Sequence, residues 1–331
     1  MIDQFPGMFG SKASRTAISL VLLAAIVGLT VPGLAAQEPA PRLELAAEPA
    51  LAGIVERVSA DSVLTTLRTL ETLGVKSAGS SALRATADWL VDRFSAFGYT
   101  DIVRQDVVFR DHTLQNIIVT KRGAVDPDRF LVIDGHYDTI RGPGVNDNGS
   151  GVAVILETAR LLADIECDIS IRFIAFTAEE IGLIGSRAYV NQIVVPETMD
   201  IALVLNIDEV GGVAGEDNTV VTCERDEGQP LENNAASAAC TDTLAALTRA
   251  YSSLDTRIAH AYGSDYVPFE DAGYVITGFY ETNESDYPHT PDDVLANMDP
   301  GYVTQIARAT VAAVLHFARA SVGRAGRTDR P

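Results

Sequence analysis

A compact apolar run that leads directly into polar residues decides the fold: residues 130–138 read FLVIDGHYD. A short continuous apolar run of this kind is typical of a buried strand. The same order recurs twice downstream, in FIAFTAEE at residues 173–180 and in LVLNID at residues 203–208. Because ligands bind at the carboxyl ends of strands in open α/β sheets, we expect the polar residues that follow these strands to meet at one edge.

Helical spacing alternates with such strands along the rest of the chain. Helices are predicted at residues 63–73, 83–97, 151–162, 187–193, 243–251 and 300–320, and strands at residues 102–109, 116–120, 130–133, 169–176, 201–207 and 275–280. No internal repeat or linker interrupts this order. The pattern predicts one α/β domain in which helices pack on both sides of a sheet.

The N-terminal residues have the layout of a secretory signal peptide. Lys12 and Arg15 precede the uncharged residues 17–30, and the small pair Ala35-Ala36 follows. We expect cleavage after Ala36, so that the mature protein is secreted or periplasmic and keeps no membrane span. The predicted organisation is a signal peptide at 1–36, a flexible leader at 37–50, a single domain at 51–322 and a frayed tail at 323–331.

Composition limits the partners of the chain. Its 331 residues carry 25 Lys and Arg against 45 Asp and Glu, a net charge of −20, and only three residues are lysines. Nucleic acids and anionic membrane surfaces attract clustered cations, so both are excluded as partners. An exported chain permits disulfides, and we expect Cys223 and Cys240, which flank the polar stretch 226–238, to pair. Three unpaired cysteines remain the alternative.

The residues after the strands are of the types that bind metals. His136, Glu179-Glu180, Asp208 and His289 follow four predicted strands, and a glycine-rich loop at 142–151 offers Asp147. The chain has no G-x-S-x-G sequence for a serine nucleophile and no H-E-x-x-H sequence for a helical zinc site. Histidine and carboxylate ligands from separate strand ends therefore predict a metal site.

Several short motifs carry a resemblance to a known family. They are His136-Tyr137-Asp138, the loop at 144–151, residues 176–186, Asn206-Ile207-Asp208, Ser264-Asp265 and Tyr287-Pro288-His289-Thr290. In order and spacing the chain resembles the di-zinc exopeptidases of peptidase family 28 (clan MH), which include secreted bacterial leucine aminopeptidases. The resemblance runs from about residue 58 to residue 317. It implies a three-layer α/β/α sandwich around a mostly parallel mixed sheet, the zinc-dependent exopeptidase or phosphorylase/hydrolase-like fold.

The resemblance also implies the metal ligands. His136 and Asp208 would hold one Zn²⁺, Glu180 and His289 a second, and Asp147 would bridge both. Three carboxylates against two Zn²⁺ leave a net charge of +1, which one bridging hydroxide neutralises. Co²⁺ or Mn²⁺ are possible substitutes at imidazole and carboxylate ligands.

The catalytic roles are likewise implied by the resemblance. Glu179 would be the general base that takes a proton from the bridging water, and Asp138 would orient the imidazole of His136. Tyr262, two residues before Ser264, is a candidate for polarising the substrate carbonyl, with core packing as the equal alternative. The acidity of the pocket makes Glu281 and Asp265 candidates for holding a substrate ammonium.

The resulting hypothesis is a secreted metallo-aminopeptidase that acts on peptides with a free N-terminus. A carboxypeptidase or dipeptidase of the same family and a glutaminyl cyclase-like enzyme are alternatives. A non-catalytic protein on the same scaffold is disfavoured, because such proteins usually lose metal ligands and this chain has the full set.

Overall fold

The computed structural model describes residues 42–261 and 263–322. Within these residues the strands are β1 (Ile102–Phe109), β2 (His112–Lys121), β3 (Asp126–His136), β4 (Ile169–Phe176), β5 (Asp200–Ile207), β6 (Val220–Arg225), β7 (Asp255–His260) and β8 (Ile276–Glu281). The α-helices are α1 (Pro49–Val55), α2 (Ala60–Leu73), α3 (Ser81–Ala96), α4 (Gly149–Leu162), α5 (Ile184–Tyr189), α6 (Val195–Glu197), α7 (Asn234–Tyr251), α8 (Val267–Asp271) and α9 (Pro300–Phe317). A π-helical segment, Val190–Val194, joins α5 to α6. The predicted signal peptide and tail lie outside the described residues.

The described strands form one sheet in the order β1-β2-β4-β3-β5-β8-β6-β7. The central strands β4, β3, β5 and β8 run parallel to one another, and β6 pairs in parallel with β7. The pairs β1-β2, β2-β4 and β6-β8 are antiparallel. The predicted mostly parallel mixed sheet is therefore confirmed.

Two cores lie on opposite faces of this sheet. Because side chains alternate along a strand, Leu131 and Ile133 face one core whereas Phe130 and Val132 face the other. The first core contains the residues buried under α1–α4, α7 and α9, and the second contains aromatic residues of α5 and α8 such as Tyr189 and Phe269. These layers confirm the α/β/α sandwich.

Sequence patterns located some elements better than others. The predicted strands at 102–109 and 169–176 have the bounds of β1 and β4. Strands β6 and β7 were not predicted at all, and α7 begins at Asn234 and not at residue 243. The last helix ends at Phe317, three residues before the predicted end.

The predicted disulfide is wrong, because Cys167, Cys223 and Cys240 are all free thiols. Cys223 lies in β6 with its thiol beside Thr248, and burial raises the pKa of that thiol. Cys240 is eight residues earlier in α7, and about two helical turns, roughly 12 Å, separate it from Thr248 along the helix axis. Part of the polar stretch 226–238 belongs to helix α7, and this helix keeps Cys240 away from Cys223.

The chain before α1 lies against the C-terminal part of the domain. Arg42 forms an ion pair with Asp255 at 2.9 Å, and the backbone N–H of Glu48 donates to the hydroxyl of Tyr251 at 2.7 Å. Arg249 donates to the carbonyl of Leu43. No helix in the described part of the chain has the length and apolar character needed to cross a membrane.

Candidate metal centre

The alignment of the central strands brings three ligand-bearing loops to one edge of the sheet. His136, the last residue of β3, pairs with Phe176, the last residue of β4, and Asp134 of β3 pairs with Asn206 of β5. Strands β3, β4 and β5 therefore end at the same level. The loops that carry Glu179, Glu180 and Asp208 leave the sheet beside His136, as the sequence predicts.

Three of these side chains form what we call the buried cluster: His136, Asp147 and Asp208. Nε2 of His136 lies 3.2 Å from Oδ1 of Asp147 and 3.4 Å from Oδ1 of Asp208. The His136 side chain is only 1% exposed. The three groups thus face a common point inside the protein.

A second group, the open cluster, consists of Asp147, Glu180 and His289. Nε2 of His289 lies 3.0 Å from Oδ2 of Asp147 and 2.7 Å from Oε2 of Glu180. The His289 side chain is 47% exposed. Each oxygen of Asp147 serves a different cluster, so its carboxylate lies between the two, in the bridging position that the resemblance implies.

The donor atoms fit tetrahedral metal ions. Zinc ligands at about 2.0–2.1 Å from a tetrahedral ion are roughly 3.3 Å from one another. The separations of 3.2 and 3.4 Å in the buried cluster are close to this value, and those of 3.0 and 2.7 Å in the open cluster are shorter. Oδ2 of Asp147 and Oδ1 of Asp208 are buried and accept no hydrogen bond of good geometry from any described residue. Their neighbouring imidazole nitrogens lie 3.0 and 3.4 Å away. Within each cluster the oxygen and the nitrogen face a shared space, as ligands of one ion do.

The electrostatics of both clusters favour a cation. Burial opposes the charged form of His136, but the carboxylates of Asp208 and Glu179 outweigh it and raise the pKa of the imidazole. Hydrogen bonding to Asp147 and Glu180 raises the pKa of His289 to about 10. Burial raises the pKa of Glu179. Either a proton or a divalent metal ion satisfies such groups, because each places positive charge between the carboxylates.

The loop that carries Asp147 is held from several sides. Gly144 has a positive φ of 60°, and a Cβ there would collide with Thr139 and with the carbonyl of Asp147. The carboxylate of Asp293 accepts the backbone N–H of Asn146 at 2.7 Å and that of Asp147 at 3.0 Å. Only glycine fits the turn, and Asp293 fixes the backbone of the bridging residue.

A buried lysine lies beneath the same loop. Lys76 is 1% exposed, and its ammonium donates to the carbonyls of Gly74 at 3.1 Å and of Pro143. Its backbone N–H donates to Oγ1 of Thr139 at 2.9 Å. Burial lowers the pKa of Lys76 to about 8, against the attraction of Asp293 and other nearby carboxylates. Lys76 therefore ties the end of α2 to the loop of Asp147.

Glu179 lies at the edge of the buried cluster, with Oε2 3.8 Å from Nε2 of His136. Asp138 differs from expectation, since Nδ1 of His136 lies 3.1 Å from its backbone carbonyl and 3.7 Å from its carboxylate. The Asp138 carboxylate accepts the backbone N–H of Glu179 at 3.1 Å. Asp138 thus orients His136 through its backbone and positions Glu179 through its side chain.

The two clusters open into a cavity of about 280 Å³. Its described lining residues include six carboxylates and no Lys or Arg: Asp147, Glu179, Glu180, Asp208, Glu209 and Glu224. Ser264, Tyr266 and Tyr280 line the rest of its wall. Oγ of Ser264 donates to Oδ2 of Asp208 at 2.6 Å. The cavity is strongly acidic and favours a cationic group.

Two of the predicted residues do not have the expected place. Glu281 is buried, and its carboxylate accepts hydrogen bonds from Asn146, Gly212 and Ser285, so it holds loops together and does not line the cavity. Asp265 is fully buried and is also absent from the lining. Glu281 and Asp265, predicted to hold a substrate ammonium, therefore do not line the cavity, whereas Glu209 and Glu224 do. Tyr262 lies outside the described residues.

Sequence reasoning missed Asp293 and Lys76 as supports of Asp147. Asp293 follows His289 by only four residues, so its proximity to the metal ligands was a usable signal. Lys76 gave a weaker one, as one of only three lysines in the chain. Glu224 carried no signal, because its strand was not predicted.

Sequence comparisons agree with this geometry. A profile of Peptidase family M28 matches residues 116–314, which include all five residues of the two clusters. Aminopeptidase YwaD of Bacillus subtilis (strain 168) is 36% identical over 214 residues, 62% of this chain and 45% of YwaD. Leupeptin-inactivating enzyme 1 of Streptomyces exfoliatus is 30% identical over 282 residues, 81% of this chain and 59% of the relative. The chain thus spans about half the length of these curated relatives.

Solved structures share the fold. LapB from Legionella pneumophila superposes with a TM-score of 0.72 at 24% identity, covering 82% of this chain and 75% of LapB. BSAP, a zinc aminopeptidase from Bacillus subtilis, superposes with a TM-score of 0.65 at 21% identity, covering 78% of this chain and 95% of BSAP. The profile match covers more than half of the sequence and contains every residue of both clusters. The chain therefore belongs to Peptidase family M28.

Proposed function

We propose that this protein is a zinc aminopeptidase that removes the N-terminal residue of peptides and holds two zinc ions. The observation that carries the proposal is the pair of clusters joined by Asp147, in which each oxygen of one carboxylate serves a different imidazole. The names of relatives such as Aminopeptidase YwaD support it. His136, Asp147 and Asp208 would hold one ion, and Asp147, Glu180 and His289 the other.

When bound, the zinc ions would polarise the substrate carbonyl as Lewis acids and lower the pKa of water at the site. Glu179 is the general base of the proposal. It accepts a proton from the attacking water and donates that proton to the leaving amine nitrogen as the peptide bond breaks. Its place at the edge of the buried cluster, with the backbone held by Asp138, supports this role.

The acidic wall of the cavity supports recognition of a free N-terminus. Glu209 directly follows the ligand Asp208, and its Oε2 accepts the hydroxyl of Tyr280 at 3.3 Å. A carboxylate held beside the ligands attracts the α-ammonium of a peptide and repels its carboxylate end. We assign the α-ammonium to Glu209.

We also propose that the protein is exported. The basic residues Lys12 and Arg15, the uncharged stretch at 17–30 and the small pair Ala35-Ala36 support this. N-terminal sequencing of the protein from the periplasm and from the culture fluid tests it. A mature chain that starts at residue 37 is expected, and an intact Met1 in the cytoplasm contradicts it.

The test of activity compares one leucyl peptide with its N-terminus free and the same peptide acetylated. The zinc-loaded protein should cleave only the free form, and a chelator should abolish the cleavage. Glu179→Gln should lower kcat by about 10²- to 10⁴-fold while zinc stays bound, because it removes the base and keeps the shape. The exposed Glu216→Gln is the matched control.

Either of two results contradicts the proposal. Cleavage of the acetylated peptide from its carboxyl end would make the protein a carboxypeptidase. Unchanged kcat in Glu179→Gln would remove Glu179 as the base.

A further inference from the structure

We infer that the cavity accepts substrates whose N-terminal residue carries a cationic side chain, lysine or arginine, and that Glu224 selects them. This inference rests on the proposed aminopeptidase activity and deepens it. It concerns a carboxylate that neither cluster uses and that lies in a strand away from the ligands.

Glu224 is a buried acid that lines the cavity of the two clusters. The residue is 6% exposed. Its Oε1 accepts the hydroxyl of Tyr266 at 3.0 Å, whereas Oε2 receives no hydrogen bond from any described residue. Burial raises the pKa of this carboxyl to about 8. Burial thus disfavours the charged carboxylate, and a cationic ligand group that pairs with it offsets this cost.

The strand partner of Glu224 leaves room for its carboxylate. Strand β6 runs antiparallel to β8, and Glu224 lies opposite Gly278. A Cβ on Gly278 would lie 2.7 Å from Oε2 of Glu224, closer than such atoms approach. Glycine at this position therefore lets the acid lie over the sheet and face the cavity.

The position of Glu224 suits a side chain and not the reacting backbone. Strand β8 lies between β5, which leads to Asp208, and β6, which carries Glu224. The backbone of Glu224 is two strand spacings of about 4.8 Å each from β5, and its carboxylate reaches back over Gly278 of β8. In the proposal the α-ammonium of the substrate pairs with Glu209, which leaves Glu224 to a substrate side chain with an extended stem. Lysine and arginine have such stems and end in a cation.

The other lining residues disfavour an apolar side chain. Apart from the ligands and the acids, the described lining consists of Gly263, Ser264, Tyr266 and Tyr280. None of these is an aliphatic residue. A leucine side chain placed here would remove water from the Glu224 carboxylate and offer nothing in return, whereas a cation would form a charge-assisted hydrogen bond.

The test measures kcat/KM of the zinc-loaded protein on aminoacyl p-nitroanilides of lysine, arginine, norleucine, leucine and glutamine. Norleucine matches the stem of lysine without its charge. We expect kcat/KM on the lysine and arginine substrates to exceed kcat/KM on the norleucine substrate by about 10- to 100-fold. This is the usual contribution of a hydrogen bond to a charged group. Glu224→Gln should reduce the lysine-to-norleucine ratio by a similar factor, since it keeps the size of the side chain and removes its charge. The exposed Glu216→Gln should leave the ratio unchanged.

The outcomes separate this inference from the proposed function. A wild-type preference for leucine or norleucine, or an equal rate on glutamine and lysine, overturns the selection of cations and leaves the aminopeptidase in place. An unchanged ratio in Glu224→Gln removes Glu224 as its source. Failure to hydrolyse any of the five substrates contradicts the proposed function itself, and the inference falls with it.

Discussion

The buried and the open cluster have the same donors and different surroundings. Each consists of one imidazole, one carboxylate of its own and the shared Asp147. His136 ends a central strand and is 1% exposed, whereas His289 lies in a loop with a positive φ of 60° and is 47% exposed. The donor chemistry is constant, so any difference in metal affinity reports on burial and on the rigidity of the supporting element. We expect the buried cluster to bind zinc more tightly.

The largest expected effect comes from breaking both clusters at once. Asp147→Asn keeps the shape of the side chain and removes the charge that both clusters share. We expect kcat/KM to fall by about 10³-fold, since several kcal/mol of transition-state stabilisation depend on the two ions. Steady-state kinetics with zinc in excess measure this, and Glu216→Gln is the control. A loss below tenfold would mean that one cluster works without the bridge.

A smaller effect should follow from loosening the support of the bridge. Asp293→Asn replaces one of the two carboxylate oxygens that accept the backbone N–H groups of Asn146 and Asp147 with an NH₂ donor. We expect zinc affinity to fall by about 10- to 100-fold at both clusters, as is usual for outer partners of metal ligands. Competition with a chromophoric chelator measures both affinities. The neighbouring exposed Asp292→Asn should bind zinc as the wild type does, and equal affinities in the two variants would remove Asp293 as a support.

The smallest effect concerns Lys76, which lies below the loop of Asp147. The sign of its effect on stability at different pH follows from the shift of its pKa. Folding lowers the pKa of Lys76 from 10.5 to about 8 because the side chain is buried. Between these two values the unfolded chain holds a proton that the folded chain has lost, so stability rises with pH. The wild type should gain up to about 1.4 kcal/mol per pH unit relative to Lys76→Met in this window. Urea unfolding of both zinc-loaded proteins from pH 7 to pH 10 measures the difference, and a constant difference contradicts it.

The central part of the fold and the buried cluster could be predicted because their signals are local. Residues 130–133 read FLVI, a continuous apolar run, which is the pattern of a strand that is buried in a parallel sheet. His136 and Asp208 stand directly at the ends of such runs, so the topology of an α/β sheet places them together. The remaining ligands Asp147, Glu180 and His289 lie in loops; the sequence marked them as candidates, and only the resemblance to a family assigned each of them to a metal ion.

The edge of the sheet could not be predicted, because apolar and polar residues do not alternate clearly along it. Strand β7 reads DTRIAH, and the first turns of α7 consist of alanine and small polar residues without an apolar stripe. The disulfide between Cys223 and Cys240 was expected only because this helix was missed. Glu224 was missed because its strand, β6, was not predicted.

Glu281 was predicted to face the substrate, but it lies on the other face of strand β8. In β8 successive side chains point to opposite faces, so Tyr280 lines the cavity while Glu281 turns to the loop of Asn146. The sequence places an acid at the end of this strand but does not show which of two neighbours faces the substrate. The predicted ammonium ligand, Glu281, and the observed lining residue, Tyr280, are neighbours in β8 and therefore face opposite sides of the sheet.

The central claim is that Asp147 joins two zinc sites of unequal affinity. Calorimetric titration of zinc into chelator-stripped protein tests it directly, with His289→Ala as the second sample. We expect two ions per wild-type chain, bound in a tight and a weaker step, and a single tight step in His289→Ala. One ion per wild-type chain, or loss of the tight step in His289→Ala, would contradict it.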